Sequence, residues 1–182
     1  METKSLVDIT CNYLTIFDNC ALSSPSNRNS RQGIFHQPKF TRKLSSEIPN
    51  KVYTTENVLQ EFLDPDFIYG IKTHYGFKEQ RAIANRQEIT NSFLINNHVL
   101  NGAPIKLYLK LRQYFSQFRV EPTDANLFLH AINLLKNNNV ALITHDKLLQ
   151  KLCRINFIQE KYPDKKLAIF ERIHSDKYKL VN

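Results

Sequence analysis

Val140-Ala141-Leu142-Ile143-Thr144-His145-Asp146 reads as a strand that ends in an acid. Val140 to Thr144 is β-branched at both ends and apolar between, the pattern of a buried strand. Asp146 closes it, and Lys147 to Arg154 reads as a helix. Upstream, Val120-Glu121-Pro122-Thr123 is a helix entrance, with Pro near the first turn and Asp124 just inside. That helix runs through Ala131, Ile132, Leu134 and Leu135 and stops in Asn137-Asn138-Asn139. Downstream, Leu167 to Phe170 is expected to be a last edge strand. Helix, strand, helix and strand in this order predict α/β architecture.

Further out, Ile105 to Phe118 shows an apolar face at helical spacing, formed by Leu107, Leu111, Tyr114, Phe115 and Phe118. Gly76 to Ile95 reads as a polar helix and Asn96 to Pro104 as a loop. Val52-Tyr53-Thr54 is a strand candidate, with Thr54 or Thr55 placed to cap a helix from Glu56 that carries Glu61. At the N-terminus, Leu6 to Thr10 is expected to be a short buried strand around Asp8, followed by a helix start over Asn12 to Phe17. Between them and Val52 lies a polar insertion, about residues 21–50, read as a long loop. Its Arg28, Arg31, Lys39, Arg42 and Lys43 precede the first acid, Glu47. That run is the densest acid-free basic cluster of the chain and a candidate nucleic-acid contact. We see no internal repeat, no Gly-rich phosphate loop and no heptad pattern.

At 182 residues the chain suits one domain, residues 1–182 with the insertion inside it. Its 42% hydrophobic and 23% charged content is that of an ordinary globular protein. No stretch reaches the roughly 20 apolar residues of a membrane span. Met1-Glu2-Thr3-Lys4 has no secretory h-region, so a cytoplasmic protein is expected. Cys11, Cys20 and Cys153 lack zinc-type spacing and are odd in number, which predicts buried reduced thiols. The formal charge of +8 favours a polyanionic partner.

Asp8, Glu61, Asp124 and Asp146 thus fall at strand ends or in helical first or second turns. In an open parallel sheet such positions line one edge, where ligands bind. Carboxylates gathered there would repel one another, and a hard divalent cation that prefers oxygen ligands would relieve this. An acidic pocket on a basic protein points to metal-assisted chemistry on a polyanion.

Four segments together resemble the PIN-domain nucleases. Leu6-Val7-Asp8-Ile9-Thr10 resembles the first-strand motif, although Ile9 stands where the family usually has Thr or Ser. Tyr53 to Phe62, with Glu61 on the helix, resembles the second motif. Thr123-Asp124-Ala125 resembles the third, and Ala141 to Leu149 the fourth and most specific. The resemblance implies a three-layer αβα sandwich on a mainly parallel sheet. It implies hydrolysis of phosphodiester bonds in single-stranded RNA by an endoribonuclease using Mg²⁺ or Mn²⁺. Asp8, Asp124 and Asp146 would hold the metal. Glu61 would act through water or position the nucleophile, and Thr10 and Thr144 would support the set. Many small members are toxins of toxin–antitoxin pairs and form dimers, so an antitoxin or other protein inhibitor and a homodimer are the implied protein partners. A non-catalytic RNA-binding module of the same fold is the competing reading. A phospho-receiver domain would need an acidic pair after the first strand, which is not visible. No residue reads a 2′-hydroxyl or a particular base, so the residues alone leave RNA and DNA both open.

Overall fold

The computed structural model describes residues 3–23, 38–66, 79–174 and 176–181. Its frame is a seven-stranded sheet in the order β1-β7-β6-β5-β2-β3-β4. The strands are β1 (Thr3–Lys4), β2 (Leu14–Phe17), β3 (Val52–Thr55), β4 (Val99–Leu100), β5 (Val140–Ile143), β6 (Leu167–His174) and β7 (Lys177–Leu180). β6, β5, β2, β3 and β4 are parallel neighbours, while β7 and β1 run antiparallel at one edge. The class is therefore α/β on a mostly parallel sheet.

The chain builds outward from β2 through β3 to β4, then crosses back to lay β5 on the other side of β2 and β6 beyond it. The direction of winding reverses between β2 and β5. Loops leaving two such strands diverge to opposite sides and open a crevice at their C-terminal ends. β5 has four fully buried residues, and β2 buries Thr15, Ile16 and Phe17, as strands covered on both faces must.

The structure corrects the reading of the N-terminus. Leu6–Asn12 is helix α1, not a strand, and Leu14–Phe17 is strand β2, not a helix start. The local cause is a capping box. The Asp8 N–H donates to Ser5 Oγ at 3.2 Å, and the Ser5 N–H donates back to Asp8 Oδ2 at 2.9 Å. Leu6, Ile9 and Thr10 face inward at helical spacing. Tyr13 then turns extended, and the Leu14 N–H bonds Asn139 O to enter the sheet.

The stretch read as a loop over 21–50 contains the end of α2 (Asn19–Ser23), α3 (Pro38–Glu47) and a 3-10 turn, Ile48–Asn50, among its described residues. After β3, Thr55 caps α4 (Glu56–Phe62) by accepting the Val58 N–H at 3.3 Å. α5 spans Glu79–Ile95. β4 lies within the segment read as a loop, held by parallel pairing to β3. α6 (Ile105–Phe118) buries Leu107, Leu111 and Phe115. α7 (Pro122–Leu134) packs on β3 and β5 through a nearly continuous buried face. Asp146 caps α8 (Lys147–Leu152), and α9 (Asn156–Lys161) leads to β6. β6 is not an edge strand, because β7 and β1 lie outside it. Among the described residues no helix is long and apolar enough to cross a membrane.

Candidate functional site

Asp18 follows the last residue of β2, and Thr144 follows the last residue of β5. The two strands pair through Phe17 and Ile143, so both residues emerge side by side at the crevice. The Asp18 N–H bonds Ile143 O at 3.0 Å and fixes the chain there. The Asp18 side chain is only 5% exposed, yet each carboxylate oxygen is occupied. Oδ1 accepts the Asn19 N–H at 2.6 Å. Oδ2 accepts the Thr144 hydroxyl at 2.7 Å and the Cys20 thiol at 2.8 Å. Burial pushes this carboxyl above its ordinary range, the Cys20, Thr144 and Asn19 donors pull it back, and Asp146 adds to the push.

Thr144 serves two acids at once. While its hydroxyl donates to Asp18, the same oxygen accepts the Asp146 N–H at 2.9 Å. Asp146 Oδ1 accepts the Leu149 N–H at 2.7 Å as the cap of α8. Its other oxygen has no hydrogen bond among the described residues.

Glu61 and Asp124 complete the acidic set from α4 and α7. Asn19 Nδ2 donates to Glu61 Oε2 at 3.4 Å, which ties α4 to the loop after β2. Asn19 Oδ1 accepts the Ser23 hydroxyl at 3.1 Å, and Ser23 Oγ accepts Arg86 Nη2 at 3.0 Å. The buried Arg86 guanidinium also stacks over the Phe62 ring, 4.2 Å from its centre, and burial lowers it to about 9. Asp124 sits in the first turn of α7, half-buried. Burial, followed by the charges of Asp18, Asp146, Glu121 and Glu61, holds its carboxyl up at about 7. The four acids therefore share one electrostatic field. They are not closed into a cage, since no group of three or more His, Cys, Asp or Glu among the described residues could hold a metal ion as it stands.

Three of the four acids expected from the sequence, Glu61, Asp124 and Asp146, are in this field, and the fourth is not. Asp8 lies exposed on α1, engaged in the capping box with Ser5, whose hydroxyl also donates to it at 2.7 Å. Those hydrogen bonds hold its carboxyl below the ordinary range. Asp18 occupies the position at the end of a central strand that was assigned to Asp8. Thr10 also lies elsewhere, donating to Val7 O at 3.1 Å and to Glu47 Oε2 at 3.2 Å. Thr144 stands where it was expected. Asn19, Cys20 and Ser23 were missed together with Asp18. The signal that could have found them is the unbroken run Leu14-Thr15-Ile16-Phe17 immediately before Asp18, set against Ser5-Leu6-Val7-Asp8, which has the spacing of a capping box.

Of the basic cluster, Arg28 and Arg31 lie outside the described residues, as do the side chains of Lys39 and Arg42. Lys43 pairs with Glu47 at 3.5 Å, one helical turn on, so it is not acid-free in the folded chain. The three cysteines are free, but only Cys153 is buried, Cys11 being exposed and Cys20 half-buried. No family model, no curated protein and no solved structure matches this chain.

Proposed function

We propose that this chain is a PIN-like nuclease, an αβα three-layer domain that hydrolyses phosphodiester bonds of single-stranded RNA with Mg²⁺ or Mn²⁺. Asp18 takes the role first expected of Asp8. The observation that carries this reading is the pairing of Asp18 and Asp146 through one threonine hydroxyl, at the point where the sheet reverses its winding. Ligands of open α/β sheets bind at that point.

The donor set suits a hard cation. Asp18, Asp124 and Asp146 offer carboxylate oxygens only, and Glu61 lies beside them through Asn19. Burial raises the Asp124 carboxyl first, and the neighbouring charges of Asp18, Asp146, Glu121 and Glu61 add to it, a charge that a cation would offset. Asp18, Asp124 and Asp146 would hold the ion, with Glu61 reaching it through water. When bound, such an ion supplies Lewis acidity to water and neutralises charge on a phosphoryl group.

The remaining work belongs to the chain itself. Thr144 orients Asp18 and fixes the start of α8, so the two acids move as one unit. Asn19 aims Glu61. The net charge of +8 draws in a polyanion that the acidic crevice alone would repel. The test is cleavage of mixed-sequence single-stranded RNA with Mn²⁺, with EDTA and with Asp18→Asn as controls. Cleavage by wild type alone, abolished by EDTA, is expected. A wild-type protein that binds RNA without cutting it would overturn the enzymatic reading in favour of a binding module.

A further inference from the structure

We propose that Cys20 and Gln150 are positioning residues that set the spacing of Asp18 and Asp146, a role that rests on the functional reading above. Two hydrogen-bonded paths cross the gap between the loops after β2 and β5. The first is the Thr144 hydroxyl on Asp18 Oδ2. The second runs through sulfur, with the His145 N–H donating to Cys20 Sγ at 3.1 Å and the Cys20 S–H donating to Asp18 Oδ2 at 2.8 Å. Cys20 Sγ and Thr144 Oγ1 lie 3.6 Å apart, so both paths converge on one carboxylate oxygen. The Asn19 N–H holds Oδ1 at 2.6 Å, and the Thr144 hydroxyl and the Cys20 thiol close on Oδ2 from two directions, so the sulfur path adds a second hold on the oxygen that faces the β5 loop.

Gln150 braces the same assembly from behind. It is 4% exposed, and its Nε2 donates to Thr144 O at 3.3 Å and to Glu171 Oε1 at 2.9 Å. Its Oε1 accepts Lys147 Nζ at 3.3 Å. The Thr144 N–H bonds Phe170 O at 3.0 Å. The main chain of Thr144 is thus held by β6 and α8 while its side chain holds the acids. Neither residue needs to touch a substrate, since both act through Asp18 and Thr144.

Full-length wild type, C20A, C20S and Q150M separate this role from simple packing. Q150M keeps the volume of glutamine and removes its donors, and C20S keeps a donor and an acceptor. Mn²⁺ affinity is read by calorimetry, and kcat and KM by RNA cleavage. C20A and Q150M are expected to weaken Mn²⁺ binding by about 10–100-fold and to lower kcat with KM unchanged, while C20S recovers most of both. Wild-type Mn²⁺ affinity and kcat in C20A and Q150M would overturn the proposal. A wild type that neither binds Mn²⁺ nor cleaves sinks the functional reading instead. The brace is then decided by amide exchange at His145 and Asp146. Faster exchange in both variants upholds it, and unchanged exchange overturns it.

Discussion

Asp124→Asn should stabilise the metal-free protein at alkaline pH. The Asp124 carboxyl is held at about 7 against an ordinary 3.8, first by burial and then by Asp18, Asp146, Glu121 and Glu61. An acid raised on folding binds more protons folded than unfolded between those two values. Its folded form therefore loses stability as pH rises through that window, and the loss is complete above about 7. At about 1.4 kcal/mol per pH unit the ceiling is about 4 kcal/mol. Asp124 is only half-buried, so solvent screening reduces this to about 1–2 kcal/mol. The macrodipole of α7 works in the other direction, favouring a carboxylate in the first turn by about 0.3–1 kcal/mol. The net gain for the variant is about 1 kcal/mol, or about 2–4 °C in Tm for a chain of this length. Thermal melts in EDTA at pH 8 and at steps down to pH 4 measure it. The variant should melt higher at pH 8, and the gap should shrink steadily toward pH 4. A variant no more stable than wild type at pH 8, or a gap that does not change with pH, would refute the shared acidic field.

The remaining predictions concern the site and its surroundings. Asp18→Asn and Asp146→Asn should each lower metal-dependent cleavage by about 100-fold or more with circular dichroism unchanged, whereas Asp8→Asn should cleave like wild type; loss of cleavage in the Asp8 variant would reinstate the first-strand assignment. Under native iodoacetamide labelling followed by mass spectrometry, exposed Cys11 should react first, with half-buried Cys20 slower and buried Cys153 slowest until urea is added; equal rates for Cys11 and Cys20 would contradict the hydrogen-bonded thiol beside Asp18. Changing Arg28, Arg31 and Arg42 together to Ala should flatten the slope of log RNA affinity against log salt by about 2; an unchanged slope would remove the basic cluster from the RNA path.

Three of the seven strands, β3, β5 and β6, were legible because single elements announced themselves. β5 is a short β-branched run whose burial needs no partner to be named. α4 and α7 carry clear starts, Thr55 and Pro122, and their acids follow from position alone. The first strand was ambiguous for a physical reason. Val7-Asp8 and Phe17-Asp18 both place an acid after an apolar run. Only the Ser5 capping box and the pairing of Leu14–Phe17 between β3 and β5 separate them, and the pairing is a long-range fact. The same limit hid β1 and β7. Thr3 pairs with Lys179, and neither segment alone has enough apolar residues to show a strand. Cys20 was out of reach because its place depended on the right choice of Asp.

The two outer strands of the sheet, β1 and β4, are each two residues long. An exposed sheet edge is a template on which another chain can add a strand, and the risk grows with the length of unpaired backbone. Here, among the described residues, the template is cut to two residues on either side, and one side carries Lys4. These two margins are therefore poor templates for edge-to-edge aggregation or for capturing an extended peptide by strand addition. A protein docking at either of these margins would meet side chains rather than a long run of free backbone, so surface substitutions, not proline insertions, are the tool for mapping a contact there.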